Sequence, residues 1–556
     1  MRTDPVTLEV LRYSLQAIAE EMGVCIRRTS YSTNIKARAD YSCALFDRSK
    51  RAIVQALHNP AHLGAMYLVV PRALELYGTE NLEEGDVILI NDPYSGGTHL
   101  PDCVVISPSF TESEITGYVA NLAHHVDVGG MTPGSTPGVS TEIYQEGIII
   151  PPVKLVKKGK IDNDILRLIV RNTRAPTENA GDFRAQIAGA KLGDNRLQSL
   201  VAKYGLNVVL DCMEDLLNYS ERRMRSEIEK FPEGTYSAED YLDDDGVTGK
   251  PVKIAVDITI KGPSATVDFS RSDKQRKGNV NTVLSRSTSK AYYVMKCLAD
   301  PENDIPINRG AFRPIDVIAP EGTVVNASHP AACVGGSETD YRIIDSMILA
   351  LSKAIPDRVM AAAKGSVTNV SFGGIDPRTR RVYAFYESVG GGYGARPMKD
   401  GLDGVQIHCA NTKNTPIEEL EANWPVLVER YELVQDSDGA GKFRGGLGIR
   451  RDFKFVEHEA VFSVLTDRGK FSPYGLFGGL PGRTHKTIVN PDSSSPNELS
   501  TKATVTLEPN SVVSVQTAGG GGYGNPRQRD HSAVMADLRD GKISIEKARA
   551  VYGLEA

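Results

Sequence analysis

The sequence has one tryptophan, seven cysteines and few long apolar runs. No segment approaches the roughly 18 consecutive apolar residues of a membrane span, and the opening MRTDPVTLEVLRYSLQ places charges and a proline where a signal peptide needs an apolar stretch. A cytoplasmic protein without a membrane partner is the expectation. The cysteines, Cys25, Cys43, Cys103, Cys212, Cys297, Cys333 and Cys409, form no CxxC pair, which argues against a disulfide framework and against a thiolate zinc site. Positive charge is not in excess: 64 Lys and Arg stand against 70 Asp and Glu, a net of -6, and no basic stretch offers a footprint for nucleic acid.

Several catalytic signatures are also missing. There is no GxxxxGK[ST], no GxGxxG between a strand and a helix, and no GxSxG elbow. The glycine-rich segments at Gly390 to Ala395, Lys442 to Arg451 and Thr517 to Pro526 therefore read as tight turns and close backbone packing rather than phosphate cradles. ATP binding by this chain is not expected.

What the sequence does contain is an ordinary globular composition, 40% hydrophobic and 24% charged, in 556 residues, more than one core usually supports. Asp4 and Pro5 read as N-cap and first-turn proline of a helix whose stripe is Leu8, Leu11, Leu15, Ile18 and Met22. A hairpin is expected over Tyr41 to Gln55 and a helix from about Pro60 to Tyr77. The run Val87 to Ile90 reads as a buried strand emptying into a loop, and TGYVANLAHHVDVGG repeats that arrangement. Thr177 to Lys230 is helical in pattern. FPEGTYSAEDYLDDDG then reads as turn residues with a solvated acidic loop. Beyond it, KIAVDITI and ATVDFS suggest a hairpin, VYAFYE, VFSVLT and SVVSVQT suggest strands, and one helix is expected from Asp340 to Ala354. The fold class is α+β, a mixed multi-lobe architecture with an N-terminal α/β metal-binding part and a β-rich second half. The expected domains are residues 1–235, 236–525 and a helical tail at 526–556. Trp424 reads as core or interface, and Lys274 to Lys277 as a solvated turn.

Chemistry concentrates in two strand-exit loops, GGTHLPD with His99 and Asp102, and AHHVDVGG with His124, His125 and Asp127. Three of the ten histidines thus cluster beside carboxylates in glycine-rich loops. Imidazole and carboxylate together suit Zn, Mn or Fe, with room for a water that the ion acidifies. Asp40 could supply a further oxygen. The competing reading is that these are hydrogen-bonded loop or core residues, and the spacing alone leaves both open.

The blocks ARADYSCALFD, GDVILINDPYSGGTHLPD, AHHVDVGG, EIYQEGIIIPPVKL, GDFRAQ (Gly181 to Gln186), FRGGLGIRR and TAGGGGYGNP, in this order, resemble the hydantoinase B family. Its members include subunits of ATP-dependent N-methylhydantoinase and caprolactamase, the B half of 5-oxoprolinase, and a subunit of acetone and acetophenone carboxylases. The resemblance spans nearly the whole chain. It implies a division of labour in which a partner of the hydantoinase A type binds ATP and phosphorylates a cyclic amide. This chain would then open the activated ring at a divalent metal, Zn or Mn first and Fe as an alternative. It implies His99, Asp102 and His124 as ligands with Asp40 additional or substitute. His125, Asp127 and Glu146 are then candidates for orienting the ligands or transferring protons. A hetero-tetramer or larger assembly is expected. Where relatives have a small Gly- and Pro-containing loop after DFS, this chain has RSDKQRKGN at Arg271 to Asn279, which bears on specificity. Two other readings stand beside this one: a carboxylase subunit, and a non-catalytic scaffold for the ATP-binding partner.

Overall fold

Asp4 accepts the amides of Val6 and Thr7, and Pro5 sits in the first turn, where no amide donor is needed, so helix α1 (Pro5–Thr29) starts where its residue types direct. The computed structural model describes residues 3–56 and 58–554. Every expected stripe residue of α1 is buried. After α2 (Thr33–Lys36), β1 (Tyr41–Asp47) and β2 (Ala52–Gln55) form the expected hairpin, and α3 (Pro60–Tyr77) follows.

With β3 (Val87–Ile90), β4 (Asp102–Thr111), β5 (Glu114–His124), β6 (Val153–Lys157) and β7 (Lys160–Ile161), the hairpin completes a 7-stranded sheet in the order β2-β1-β5-β4-β3-β6-β7. All its pairings are antiparallel. One face packs on α1, α4 (Asn163–Arg171), α5 (Pro176–Tyr204) and α6 (Leu206–Ile228), the other on α3. Because both faces are covered, its central strands read as continuous apolar runs rather than alternating ones.

A second sheet contains β8 (Gly234–Leu242), β9 (Val252–Lys261), β10 (Ser264–Asp268) and β11 (Ile315–Ile318). Here the structure corrects the sequence reading twice. Gly234–Leu242 is a strand paired with β9 along its length, not a loop. The acidic run after it is buried, not solvated: Asp243 accepts the amides of Gly469, Lys470 and Phe471, and Asp244 pairs with Lys470. A third correction is helix α7 (Leu284–Ala299), which the sequence reading lacked. Its first half is polar yet buried, with Ser285 bonded to the Gly97 carbonyl, Ser287 to that of Val325 and Ser289 to that of Ala61. A helix enclosed on all sides carries no amphipathic stripe to read. Helix α8 (Gly336–Leu351) packs beside it. One apolar cluster joins the α3 side of the first sheet to the second sheet, α7 and α8, across residue 235.

The remaining strands are β12 (Asn369–Ile375), β13 (Val382–Ser388), then, after α9 (Ile417–Asn423), β14 (Val426–Leu433), β15 (Ile449–Phe455), β16 (Ala460–Leu465), β17 (Lys486–Val489), β18 (Asn497–Leu499), β19 (Lys502–Leu507) and β20 (Val512–Gln516). They form two sheets, β13-β12-β16-β19 and β14-β15-β20-β17-β18, around Phe372, Phe385, Phe453, Phe455 and Phe462. Trp424 packs edge-on against Phe385.

Next to them, Gly519–Gly522 threads a bundle of backbone segments. Gly520 donates to the Gly446 carbonyl, Gly521 to Ala362 and Gly522 to Leu480, while Gly439 and Ala395 donate back to Gly520 and Gly521. A Cβ on Gly520 would lie 2.1 Å from the Tyr393 carbonyl oxygen. These glycines serve close approach, as expected. The tail forms α10 (His531–Arg539), held by Arg529 between Asp400 and Asp537, and then a short last helix, α11 (Ile545–Lys547), continued by Ala548–Tyr552.

Candidate metal centre

The candidate site sits at one end of the first sheet. Asp102 opens β4 and His124 closes β5, and antiparallel pairing sets the two directly opposite each other. Residue 40, just before β1, completes the row, its carbonyl accepting the His124 amide at 3.0 Å. His99, on the loop before β4, turns back so that its Nε2 is 3.2 Å from Asp102 Oδ2. The result is a cluster in which one ligand atom from each of His99, Asp102 and His124 lies within 4.8 Å of the others.

The cluster is buried and incompletely satisfied. Among the described residues, His99 Nδ1, Asp102 Oδ1 and His124 Nε2 have no hydrogen-bond partner, a costly state for buried polar atoms that bound water or an ion relieves. Burial pushes the His124 imidazole down to about 3, favouring the neutral form that ligates metals. For Asp102 burial pushes upward, but the neighbouring His99 and His62 more than offset it and hold the carboxyl well below its usual range. The donor set, two imidazoles and a carboxylate with unpartnered atoms, fits a divalent Zn, Mn or Fe ion.

His62, unforeseen in the sequence, joins this group. It lies in the first turn of α3, with Nε2 3.5 Å from Asp40 Oδ1 and 3.7 Å from Asp102 Oδ1. Asn59, the N-cap of the same helix, donates to Asp40 Oδ1 at 2.9 Å. Asp40 is therefore at the site but occupied by Asn59 and His62. The Tyr386 ring stacks on His124 at 4.6 Å, and Arg38 lies over Tyr386 while bonding Asn34, whose amide is 3.3 Å from His124 Nδ1.

Asp40, Asn59, His62, His99, Asp102, His124 and Tyr386 line a chamber of about 80 Å³, and Arg38 and Asn34 stand behind its wall. Much of its wall comes from the second half of the chain: Arg286 and Lys290 of α7, Ser337 and Asp340 of α8, and Asn369 and Tyr386 of the β12–β13 hairpin.

The other three candidates are outside the chamber. His125 follows His124 with its side chain on the opposite face, stacked near Phe183 at 4.2 Å and donating from Nε2 to Gln186 Oε1 at 3.0 Å. Gln186 and Asp182 belong to the GDFRAQ block of α5, where Asp182 accepts the amides of Tyr31 and Ser32. Asp127 accepts the amides of Gly129, Gly134 and Arg174, ordering the loop after β5. Glu146 accepts the amides of Cys333 and Val334 and the Ser140 hydroxyl, and burial lifts it to about 7.

Fold, chamber and ligand cluster define the class: residues 4–526 match the family described as hydantoinase B/oxoprolinase, and the chain belongs to it. It is 33% identical over 562 residues to the beta subunit of the caprolactamase of Pseudomonas jessenii, covering 99% of this chain and 96% of that one. The B component of a putative D-/L-hydantoinase from a Pseudomonas species is 33% identical over 571 residues, covering 100% of this chain and 95% of the relative. The chain also aligns at 35% identity with 5-oxoprolinase 1 of Arabidopsis thaliana, where it spans 42% of the relative. The solved ATP-dependent caprolactamase from Pseudomonas jessenii superposes with a TM-score of 0.93 at 32% identity, covering 100% of this chain and 97% of that chain. Acetone carboxylase in its nucleotide-free form shares the fold, with a TM-score of 0.91 at 19% identity, covering 99% of this chain and 80% of its own. No helix among the described residues is long and apolar enough to cross a membrane.

Proposed function

We propose that this chain is the ring-opening component of an ATP-dependent cyclic amide hydrolase, working on an amide that a partner of the hydantoinase A type has activated by phosphorylation. The observation that carries the reading is the largely buried His99–Asp102–His124 cluster with its unpartnered atoms, set in a small chamber. A divalent ion held there would acidify water and stabilise oxyanion charge as the activated carbon is attacked. His99, Asp102 and His124 would hold the ion, with Asp40 beside them as a further oxygen donor. His62 keeps both carboxylates oriented. Tyr386 and the Arg38–Asn34 pair fix the His124 ring. His125, Asp127 and Glu146 serve from behind: His125 locks the strand end to α5, Asp127 orders the following loop, and Glu146 ties in the Cys333–Val334 segment that leads to α8. The partner, by the names of the relatives, is a separate polypeptide, and the cyclic amide is of the hydantoin, oxoproline or lactam kind.

The test is metal content by mass spectrometry on the wild type beside His99→Ala and His124→Ala, each checked for folding. Ring opening is then assayed with ATP and the partner. Near-stoichiometric metal, lost together with activity in both variants, is the expected outcome. A metal-free wild type that opens rings with its partner would overturn it.

A further inference from the structure

A second set of charged side chains lines the same chamber. Arg286 and Lys290 stand four residues apart on α7, one turn of helix, and so share a face. Both engage one carboxylate oxygen: Asp340 Oδ2 receives Arg286 Nε at 3.0 Å, Arg286 Nη2 at 2.8 Å and Lys290 Nζ at 2.9 Å. Thr282 donates to the other oxygen at 3.2 Å. Asp340 is thus saturated, yet one cation more than it can balance remains. Among the described residues, Arg286 Nη1 is buried without a hydrogen-bond partner.

A purely structural ion pair does not explain this. Arg286 is 6% exposed and Lys290 1%, and a buried guanidinium edge left without an acceptor is costly. Native proteins seldom leave such a donor unmet unless a ligand or water meets it. Nearby, Arg38 is fully buried and bonds only neutral groups, Asn34, Ser388 and the carbonyls of Tyr386 and Lys413. Once a divalent ion balances Asp40 and Asp102, the α7 pair leaves one positive charge on the chamber wall, and Arg38 adds a second behind Tyr386. That is the complement of a phosphoryl dianion, whose tetrahedral oxygens suit a guanidinium edge.

We propose that Arg286, with Lys290, forms an oxyanion subsite that holds the phosphoryl group of the activated substrate beside the His99–Asp102–His124 cluster. The assignment rests on the ring-opening reading above. It adds that the leaving phosphate is gripped within this chain, through Arg286 Nη1, so that the activated carbon is presented to the ligand cluster. A carboxylate borne by the substrate would need only one charge and would not draw on Arg38.

The experiment is isothermal titration of the metal-loaded chain with inorganic phosphate and, separately, with acetate, for wild type, Arg286→Gln and Lys290→Gln, with metal content measured on each. The expected result is phosphate binding in the wild type that weakens at least tenfold in Arg286→Gln and several-fold in Lys290→Gln, at unchanged metal content. Acetate should compete poorly. Phosphate affinity unaffected by Arg286→Gln overturns the proposal, and so does acetate binding as tightly as phosphate. Arg286→Lys is the second variant should the glutamine protein misfold: it keeps the charge but loses the planar fork, and undiminished phosphate affinity there also counts against the subsite. Repeating the titration on metal-depleted protein separates the two readings. Arginine-dependent phosphate binding in a chain that never takes up metal leaves this subsite standing while the ring-opening reading fails. Metal binding at the cluster with phosphate indifferent to Arg286 does the reverse.

Discussion

His124 and His125 are consecutive, yet they face opposite sides of the first sheet. The period of two along a strand sends His124 to the chamber and His125 to Phe183 and Gln186 of α5. Their substitutions should therefore separate. His125→Phe is expected to keep its metal while lowering stability, whereas His124→Ala loses metal and stays folded, and equal metal loss in both would contradict this division. On the proposed reading His62 orients Asp40 and Asp102, so His62→Gln should weaken metal affinity about 10–100-fold in chelator competition without abolishing it. An unchanged affinity would remove His62 from the site. The sequence made His99, Asp102 and His124 legible because they sit close together in two similar loops. His62 was not, since it lies on a separate helix and nothing in PAHLG marks which of its turns faces Asp40. Arg286, Lys290 and Asp340 were hidden for the same reason at greater distance, each belonging to helices that only the tertiary fold brings to the strand ends.

At the scale of elements, legibility followed the source of the signal. Helix α1, the first hairpin, α3 and β3 carry local markers, an N-cap, a turn or a bounded apolar run, and form where those markers stand. Strand β8 and helix α7 carry none. The alternation in β8 is masked because its sheet position leaves most side chains half exposed, and α7 is enclosed and polar at once. The acidic run after β8 looked solvated because charge usually is, but the amides of Gly469 to Phe471 need an acceptor there. The glycine segment shows the converse, a sequence feature with a purely steric purpose. With a carbonyl oxygen 2.1 Å from the added Cβ, Gly520→Ala should cost about 1–3 kcal/mol in urea unfolding, and a variant as stable as the wild type would mean the bundle yields freely.

At the scale of the molecule, buried charge ties the lobes together. Arg342 and Asp345 of α8, Arg468 after β16 and Asp240 of β8 form one network, and Lys502 of β19 pairs with Asp467 beside it. Near this network Lys364 is fully buried and bonds the carbonyls of Val367 and Val389, and burial lowers it to about 7. The unfolded chain therefore binds more protons than the folded one from about pH 7 up to the ordinary lysine range. Stability should rise with pH across that window, by at most about 1.4 kcal/mol per pH unit from this group. Below pH 7 the penalty is fully present. In Lys364→Met this part of the slope should vanish, so unfolding free energies of the two proteins between pH 7 and 9 should change at different rates as pH rises. Parallel curves would show that Lys364 stays charged in the fold.

The glycine bundle also sets an order of events. Gly520 to Gly522 meet Ala362, Tyr393, Gly446 and Leu480, partners far away along the chain, whereas Asp102 and His124 sit in one hairpin closed by a short turn. Contacts between distant segments carry the larger loop-closure cost and tend to form later. During refolding, then, the β4–β5 hairpin should bring Asp102 and His124 together while the glycine segments are still apart. Pulse-labelled hydrogen exchange should find the amides of β4 and β5 protected before those of Gly520 to Gly522. If the cluster holds a metal as proposed, a nascent chain would then carry two of its three ligands side by side before the glycine bundle exists.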